Sequence, residues 1–273
     1  MINAGNLLGQ LLGSGMSNSG QNRMGHAMGP QGLGRQGNPL ASIFGGGQSG
    51  GGAGGQVAGG GGLGDILGGL IGGATGAVKR GDPMAIGGLG ALAGAVLSGG
   101  SMRGAVQGGG LALIGTLAMS ALRDWGKGGE APSNPDELAQ QAPLGVRPPH
   151  NAAEEEELQH NALVILKGMI NAAKADGNID EDEMQRIIGH LNRNGVTDEE
   201  RAFLESEINK PLDLQGLISQ INSPELAAQV YTASLLAIDV DTTAEEEYLR
   251  QLAQGLGLSP QTVGNIHDFL GVN

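Results

Sequence analysis

The sequence predicts an all-α protein in which an acidic helical bundle follows a glycine-rich region, and three observations predict it. Apolar residues recur at helical spacing in the second half, without the alternation of β-branched and aromatic residues that marks strands. Of the 53 glycines, 44 precede residue 151, and no collagen-type period runs through them. The charge divides at the same point: residues 1–150 carry 8 basic and 6 acidic side chains, and residues 151–273 carry 7 and 22.

Composition divides the chain into four regions. Residues 1–82 are a glycine-rich low-complexity region, 83–126 a hydrophobic stretch, 127–153 a proline-containing linker, and 154–273 the acidic helical domain. Residues 1–62 are predicted to be low-complexity linker apart from a short aliphatic segment, and the glycine-rich half as a whole has too few aromatic residues to build an ordinary core. The chain has no cysteine, which excludes disulfides, thiolate zinc sites and cysteine nucleophiles.

Two short aliphatic segments interrupt the low-complexity region. Residues 5–13 (GNLLGQLLG) and 64–72 (GDILGGLIG) share the pattern G-x-[LI]-L-G-x-L-[LI]-G. On a helix, glycines four apart form a smooth stripe beside an aliphatic face, and such stripes let helices approach closely in lipid. Glycine-rich sequence also produces this spacing by chance. The pattern therefore predicts either self-associating helices or a coincidence of composition.

The hydrophobic stretch predicts membrane association. Residues 83–102 and 104–122 lack charged side chains, and Arg103 separates them. A helix needs about 20 predominantly apolar residues to cross a bilayer. Basic side chains at the outer ends, beginning at Lys79 and at Arg123, favour a hairpin with both termini in the cytoplasm. We expect a bacterial inner-membrane location with the acidic domain in the cytoplasm; alternatively, one stretch spans, or the pair lies in a protein interface.

Helix start signals are frequent in the acidic domain and predict about seven short helices. The segment 225–238 is apolar on most sides, which predicts a central buried helix. The start signals are capping boxes and Ser-Pro pairs with proline at the first helical position. They are Thr197 with Glu200, Thr243 with Glu246, the Asp-capped Asp180 with Glu183, Ser223-Pro224 and Ser259-Pro260.

One acidic segment carries the chemistry of a metal site. Asp176, Asp180 and Glu183 fall at positions 5, 9 and 12 of an EF-hand calcium loop, and Gly177 falls at its sharp turn. The first half of the loop does not match, because Lys174 stands where a carboxylate is needed. The segment is therefore not a self-sufficient EF-hand and needs ligands from elsewhere.

A second acidic turn, with Asp239, Asp241 and Glu245, follows the other strongly apolar helix. Approximate internal duplication would bring the two turns together, and oxygen ligands from two loops suit Ca²⁺ or Mg²⁺. Carboxylates after a helix C-terminus are disfavoured by the macrodipole, so something should offset that cost, and a cation is one candidate. Ordinary helix capping explains several of these residues equally well, and both interpretations stay open.

The runs 169–183 and 237–249 resemble the TerB-like superfamily, named for tellurite resistance, and more closely its YebE-type branch of bacterial inner-membrane proteins. The resemblance covers residues 155–271 and implies a seven-helix bundle with a pseudo-repeat, without enzymatic activity. It also implies acidic residues able to hold a divalent cation. These map onto Asp176, Asp180, Glu183, Asp239, Asp241 and Glu245. Thr242 replaces the glycine of the A-D-G pattern in the second turn.

The sequence contains no catalytic motif: the histidines lack metal-ligand spacing, and neither a nucleophile elbow nor a phosphate-binding loop occurs. The net charge of −15 on residues 151–273 (7 basic, 22 acidic) repels nucleic acid. We predict a non-enzymatic module tethered to the inner membrane that binds a divalent cation. It would act in envelope or metal stress through protein partners or self-association of its glycine-rich helices. The alternative is a soluble self-assembling scaffold without a metal or membrane role.

Overall fold

The computed structural model of the chain describes residues 3–14, 18–28, 32, 102–122, 144, 149–177 and 197–272. Across these residues the regular structure is helical and no β-strand forms, which confirms the all-α fold. The helices of the described part are α1 (Ala4–Ser14), α2 (Asn18–Met28), α3 (Met102–Leu122), α4 (Ala152–Ala173), α5 (Asp198–Asn209), α6 (Leu214–Ile218), α7 (Pro224–Ala237), α8 (Thr243–Gly255) and α9 (Pro260–Leu270).

The helix α7 lies at the centre of the bundle. All eleven residues 226–236 are buried, as predicted for a helix that is apolar on most sides. Its most extensive contact is with α4, and α3, α8, α9 and α2 also pack against it. The central apolar helix of the acidic domain is thus surrounded by helices from the same domain and from the glycine-rich half. A further helix predicted after Asp180 lies outside the described residues.

Two helices from the glycine-rich half join this core. We call residues 3–28, as far as they are described, the N-terminal arm. In the arm, α1 packs on α3 and α4, and α2 packs on α7 and α9. Leu7, Leu8 and Ala27 are fully buried there. The sequence predicts linker for most of residues 1–62, but these aliphatic side chains complete a core to which α3 and the acidic domain contribute the rest.

The helix α3 covers the predicted stretch 104–122 and buries apolar side chains inside the protein. Leu111, Ile114, Leu117 and Ala121 are at most 2% exposed, and α3 contacts α1, α7 and α9. None of the helices that the structure describes combines the length and hydropathy needed to cross a membrane. The expected span over 104–122 is corrected accordingly: the helix forms, but its aliphatic side chains pack against other helices of the chain. Most of the other stretch, residues 83–101, lies outside the described part.

The predicted helix starts are confirmed with one shift of register. The box of Thr197 with Glu200 forms, and both Ser-Pro pairs begin helices. The second box is one residue earlier than predicted, with Thr242 and Glu245 as its members. Thr242 has the extended backbone of an N-cap, and Val240, two residues earlier, is left-handed (φ 54°). The Asp180 start lies outside the described residues.

Candidate functional site at the acidic turns

The second acidic turn is closed by a cation that the chain itself supplies. Arg23 of α2 reaches the end of α7, where carbonyl groups lack partners within the helix. Its Nη1 donates to the carbonyls of Leu235 and Ile238, both at 2.5 Å, and its Nη2 donates to that of Asp239 at 2.7 Å. Burial lowers the pKa of the guanidinium, while Asp239 and Glu245 act to raise it. An arginine side chain stays charged in such a setting, so it neutralises the helix end as a bound cation would.

The carboxylate of Glu245 caps α8 and is only 7% exposed. Its Oε2 accepts from the backbone N–H groups of Asp241 (3.1 Å) and Thr242 (3.0 Å) and from the Thr242 hydroxyl (2.8 Å). Asp239 and Asp241 are exposed on the same turn. Two of the three predicted ligands of this turn are therefore exposed, and the third, Glu245, is already engaged in a capping box.

At the first acidic turn, a buried lysine, Lys174, occupies a position at which an EF-hand loop needs a carboxylate. Lys174 is 4% exposed, and its Nζ donates to the carbonyls of Glu207 (2.5 Å) and Lys210 (2.8 Å) at the end of α5. Burial lowers its pKa, Glu207 acts to raise it, and Lys210 acts to lower it further. Lys174 therefore caps another helix, a duty that a carboxylate could not perform.

The described residues assemble no metal cluster from three or more histidine, aspartate or glutamate side chains. Asp176 follows the last turn of α4 and is exposed. Asp180 and Glu183, the other predicted ligands of that turn, lie outside the described residues. Sequence reasoning missed Arg23 and the duty of Lys174, because their partners are 212 to 216 and 33 to 36 residues away along the chain.

A histidine of α9 borders the arm beside Arg23. The Nε2 of His267 lies 2.9 Å from the hydroxyl of Tyr231, whose pKa is raised to about 12 by burial. The pKa of His267 is lowered, first by burial and then by the charge of Arg23, while Asp268 acts to raise it. His26 of the arm approaches the carbonyl of Phe269 at 3.1 Å. The interface of α2 with α7 and α9 therefore favours a neutral His267.

Stability is expected to fall as the pH drops below about 6.5, the ordinary pKa of histidine. The unfolded chain binds this proton at a higher pH than the folded chain, so the contribution of neutral His267 is complete above 6.5 and is lost as the pH falls through its lowered folded pKa. The melting temperature of His267→Gln should fall less between pH 7.5 and 5.5 than that of the wild type. Exposed His160→Gln is the matched control, and equal pH dependence in both variants would contradict the assignment.

Comparison with known proteins places the chain in a family. It matches DUF533, described as a protein family of unknown function, over residues 80–270. A protein of Yersinia enterocolitica, described as an uncharacterized protein in the ampR 5' region, is 31% identical over 99 residues, which are 36% of this chain and 70% of that protein. No solved structure gives a significant match. Since the family match covers more than half of its length, the chain belongs to the DUF533 family.

Proposed function

We propose that the protein is a non-enzymatic helical module that acts through contacts with cationic or basic partners. The supporting observation is the row of exposed carboxylates at the starts of α4 and α5. The second turn of α4 and the first turn of α5 are close together, since Gln159 and Glu200 both bind the first residues of α1. Such a surface attracts cations and basic segments and repels nucleic acid. The exposed acidic residues there are Glu155, Glu156, Glu157, Asp198 and Glu199.

The proposed divalent-cation site is the first acidic turn, with Asp176, Asp180 and Glu183 as ligands for Ca²⁺ or Mg²⁺. This proposal narrows the two-turn site expected from sequence. At the second turn, Arg23 already supplies positive charge beside the end of α7, and Glu245 is engaged in capping α8. The TerB-like resemblance supports the same choice, since the first turn follows its A-D-G pattern.

Calorimetric titration of the full chain tests the cation proposal. We expect Ca²⁺ or Mg²⁺ to bind, and Asp176→Asn to weaken binding about tenfold, equivalent to about 1.4 kcal/mol. Asp241→Asn is the matched control, since it also removes one exposed carboxylate after a helix end, and it should change affinity less than about threefold. No binding by the wild type, or equal losses in the two variants, would refute the site.

Inner-membrane attachment is proposed through residues 83–101, with the acidic domain in the cytoplasm and a role in envelope or metal stress. The support is the sequence: this uncharged stretch lies between Lys79-Arg80 and Arg103. A soluble self-assembling scaffold is the competing function. It is favoured by the burial of α1 and α3 within the bundle, which shows that aliphatic glycine-rich segments of this chain can pack without lipid.

Fractionation separates these two functions. If the stretch inserts, the full chain sediments with membranes, and Leu92→Asp lowers the bound fraction because an aspartate at the centre of a spanning helix costs about 2.5–3.5 kcal/mol. Ile43→Asp, in the low-complexity region, is the matched control and should leave the bound fraction unchanged. Full-length protein that stays in the supernatant after high-speed centrifugation would favour the scaffold.

A further inference from the structure

We infer that the groove that holds α1 also accepts residues 64–72, so that one chain carries two segments for one binding surface. We call this surface the α1 groove; α3 and α4 form its walls, and α5 closes one end. The inference starts from the repeat of the nine-residue pattern of residues 5–13. It rests on the burial and the hydrogen bonds of the α1 residues at the positions of that pattern.

The apolar contacts of α1 fall on pattern positions that residues 64–72 keep aliphatic. Leu7 and Leu8 are fully buried, and Leu11 packs against both core clusters. The corresponding residues of the second segment are Ile66, Leu67 and Leu70. The buried side chains around Leu7 are also aliphatic, with the partly buried Phe203 packed against them, and such apolar surroundings tolerate exchanges that conserve volume. The buried ones are Leu166, Ile170, Leu204 and Ile208.

The polar anchors of α1 are backbone groups, which do not depend on side-chain identity. The N–H of Asn3 donates to Oε1 of Glu200 at 3.0 Å, and the N–H of Ala4 donates to Oε1 of Gln159 at 3.1 Å. These are N–H groups at a helix start, which lack partners within the helix. Gly62 and Leu63 stand at the equivalent positions and supply the same donors.

Two differences make the second segment the weaker occupant. Ala4 is fully buried, and the larger Leu63 replaces it. Gly69 replaces Gln10, and glycine is the poorer helix former. The α1 helix is therefore the main occupant, and residues 64–72 take its place in a minor fraction. In that fraction the released α1 can enter the α1 groove of a second copy, which links two chains.

Cross-linking in the full chain tests this exchange, and the absence of cysteine makes introduced pairs unique. Every variant carries Gln159→Cys, which places one thiol at the α1 groove. It is combined with Asn3→Cys as the positive case, with Gly62→Cys as the test, and with Gly50→Cys as the matched control. A short bis-maleimide reagent joins the pairs, and links within single chains are measured after dimers are removed.

We expect the Gly62→Cys pair to cross-link less than the Asn3→Cys pair and at least threefold more than the Gly50→Cys pair. Gly62 and Gly50 lie 40 and 52 residues before the start of α3, and this difference in chain length alone changes the contact frequency by only about 1.5-fold. Adding Leu67→Asp should reduce the Gly62→Cys yield to the control value, while circular dichroism shows that the bundle stays folded. A Gly62→Cys yield equal to the control, or one unaffected by Leu67→Asp, would overturn the inference.

Discussion

Replacing Arg23 by methionine is expected to lower the free energy of unfolding by about 3–5 kcal/mol, because it removes a buried charge whose partners stay behind. The carbonyls of Leu235, Ile238 and Asp239 lose their donor at the end of the central helix. Each buried acceptor left without a donor costs about 1–3 kcal/mol. Nearby Glu245, itself buried, also loses the positive charge that faces it.

Urea unfolding followed by circular dichroism measures this effect. Arg250→Met is the matched control, because Arg250 lies on the surface and pairs with Glu247 in the same helix, and such an exposed pair contributes little to stability. Arg23→Lys should recover only part of the loss, since an ammonium lacks the planar fork that reaches three carbonyls. If Arg23→Met were no more destabilising than Arg250→Met, the arm would not be an integral part of the bundle.

The helices of the acidic domain could be predicted because their signals are local. A Ser-Pro pair or a Thr–Glu box determines a helix start within four residues, and the apolar run 225–238 indicates burial without reference to a partner. The box at Thr242 was misplaced by one residue because two threonines stand side by side. In the structure Thr242 has the extended backbone of an N-cap, and periodicity does not distinguish it from Thr243.

The environment of the aliphatic glycine-rich segments could not be predicted in the same way. Hydropathy measures a preference for apolar surroundings, and the core of a bundle satisfies that preference as well as lipid does. The face of α3 that carries Leu111, Ile114 and Leu117 meets α1 and α7, whose contributions come from distant parts of the chain. The sequence therefore indicated the helix and left its neighbours undetermined.

At the acidic turns, too, the sequence does not indicate which distant residue packs against them. The sequence indicates that carboxylates after a helix C-terminus need a compensating charge, and a metal ion is one candidate for it. At the second turn the solution is Arg23, which is more than 200 residues away along the chain. A single basic residue in a polar low-complexity run gives no signal for such a role, because only the packing of α2 against α7 brings the two together.

The second effect is expected from Gly168→Ala, at the contact between α4 and α7: this variant should be less stable than one with a glycine-to-alanine substitution elsewhere in a helix. The absence of a side chain lets the two helices approach closely: a Cβ atom at Gly168 would lie 2.8 Å from Cγ1 of Val230 and 3.2 Å from Oγ of Ser234. Valine is stiff in a helix and cannot swing away. The carbonyl of Gly168 also accepts from the hydroxyl of Tyr248 at 3.4 Å, so a shift of α4 would disturb α8 as well.

Gly264→Ala provides the matched control, because Gly264 lies inside α9 and a Cβ atom there meets no other atom within 4 Å. Both substitutions gain the helix propensity of alanine, about 1 kcal/mol, so this gain cancels in the comparison. Overpacking then makes Gly168→Ala the less stable of the two by about 1–3 kcal/mol in urea unfolding. Equal stability would mean that α4 and α7 separate at little cost, and the close contact would then not hold the centre of the bundle together.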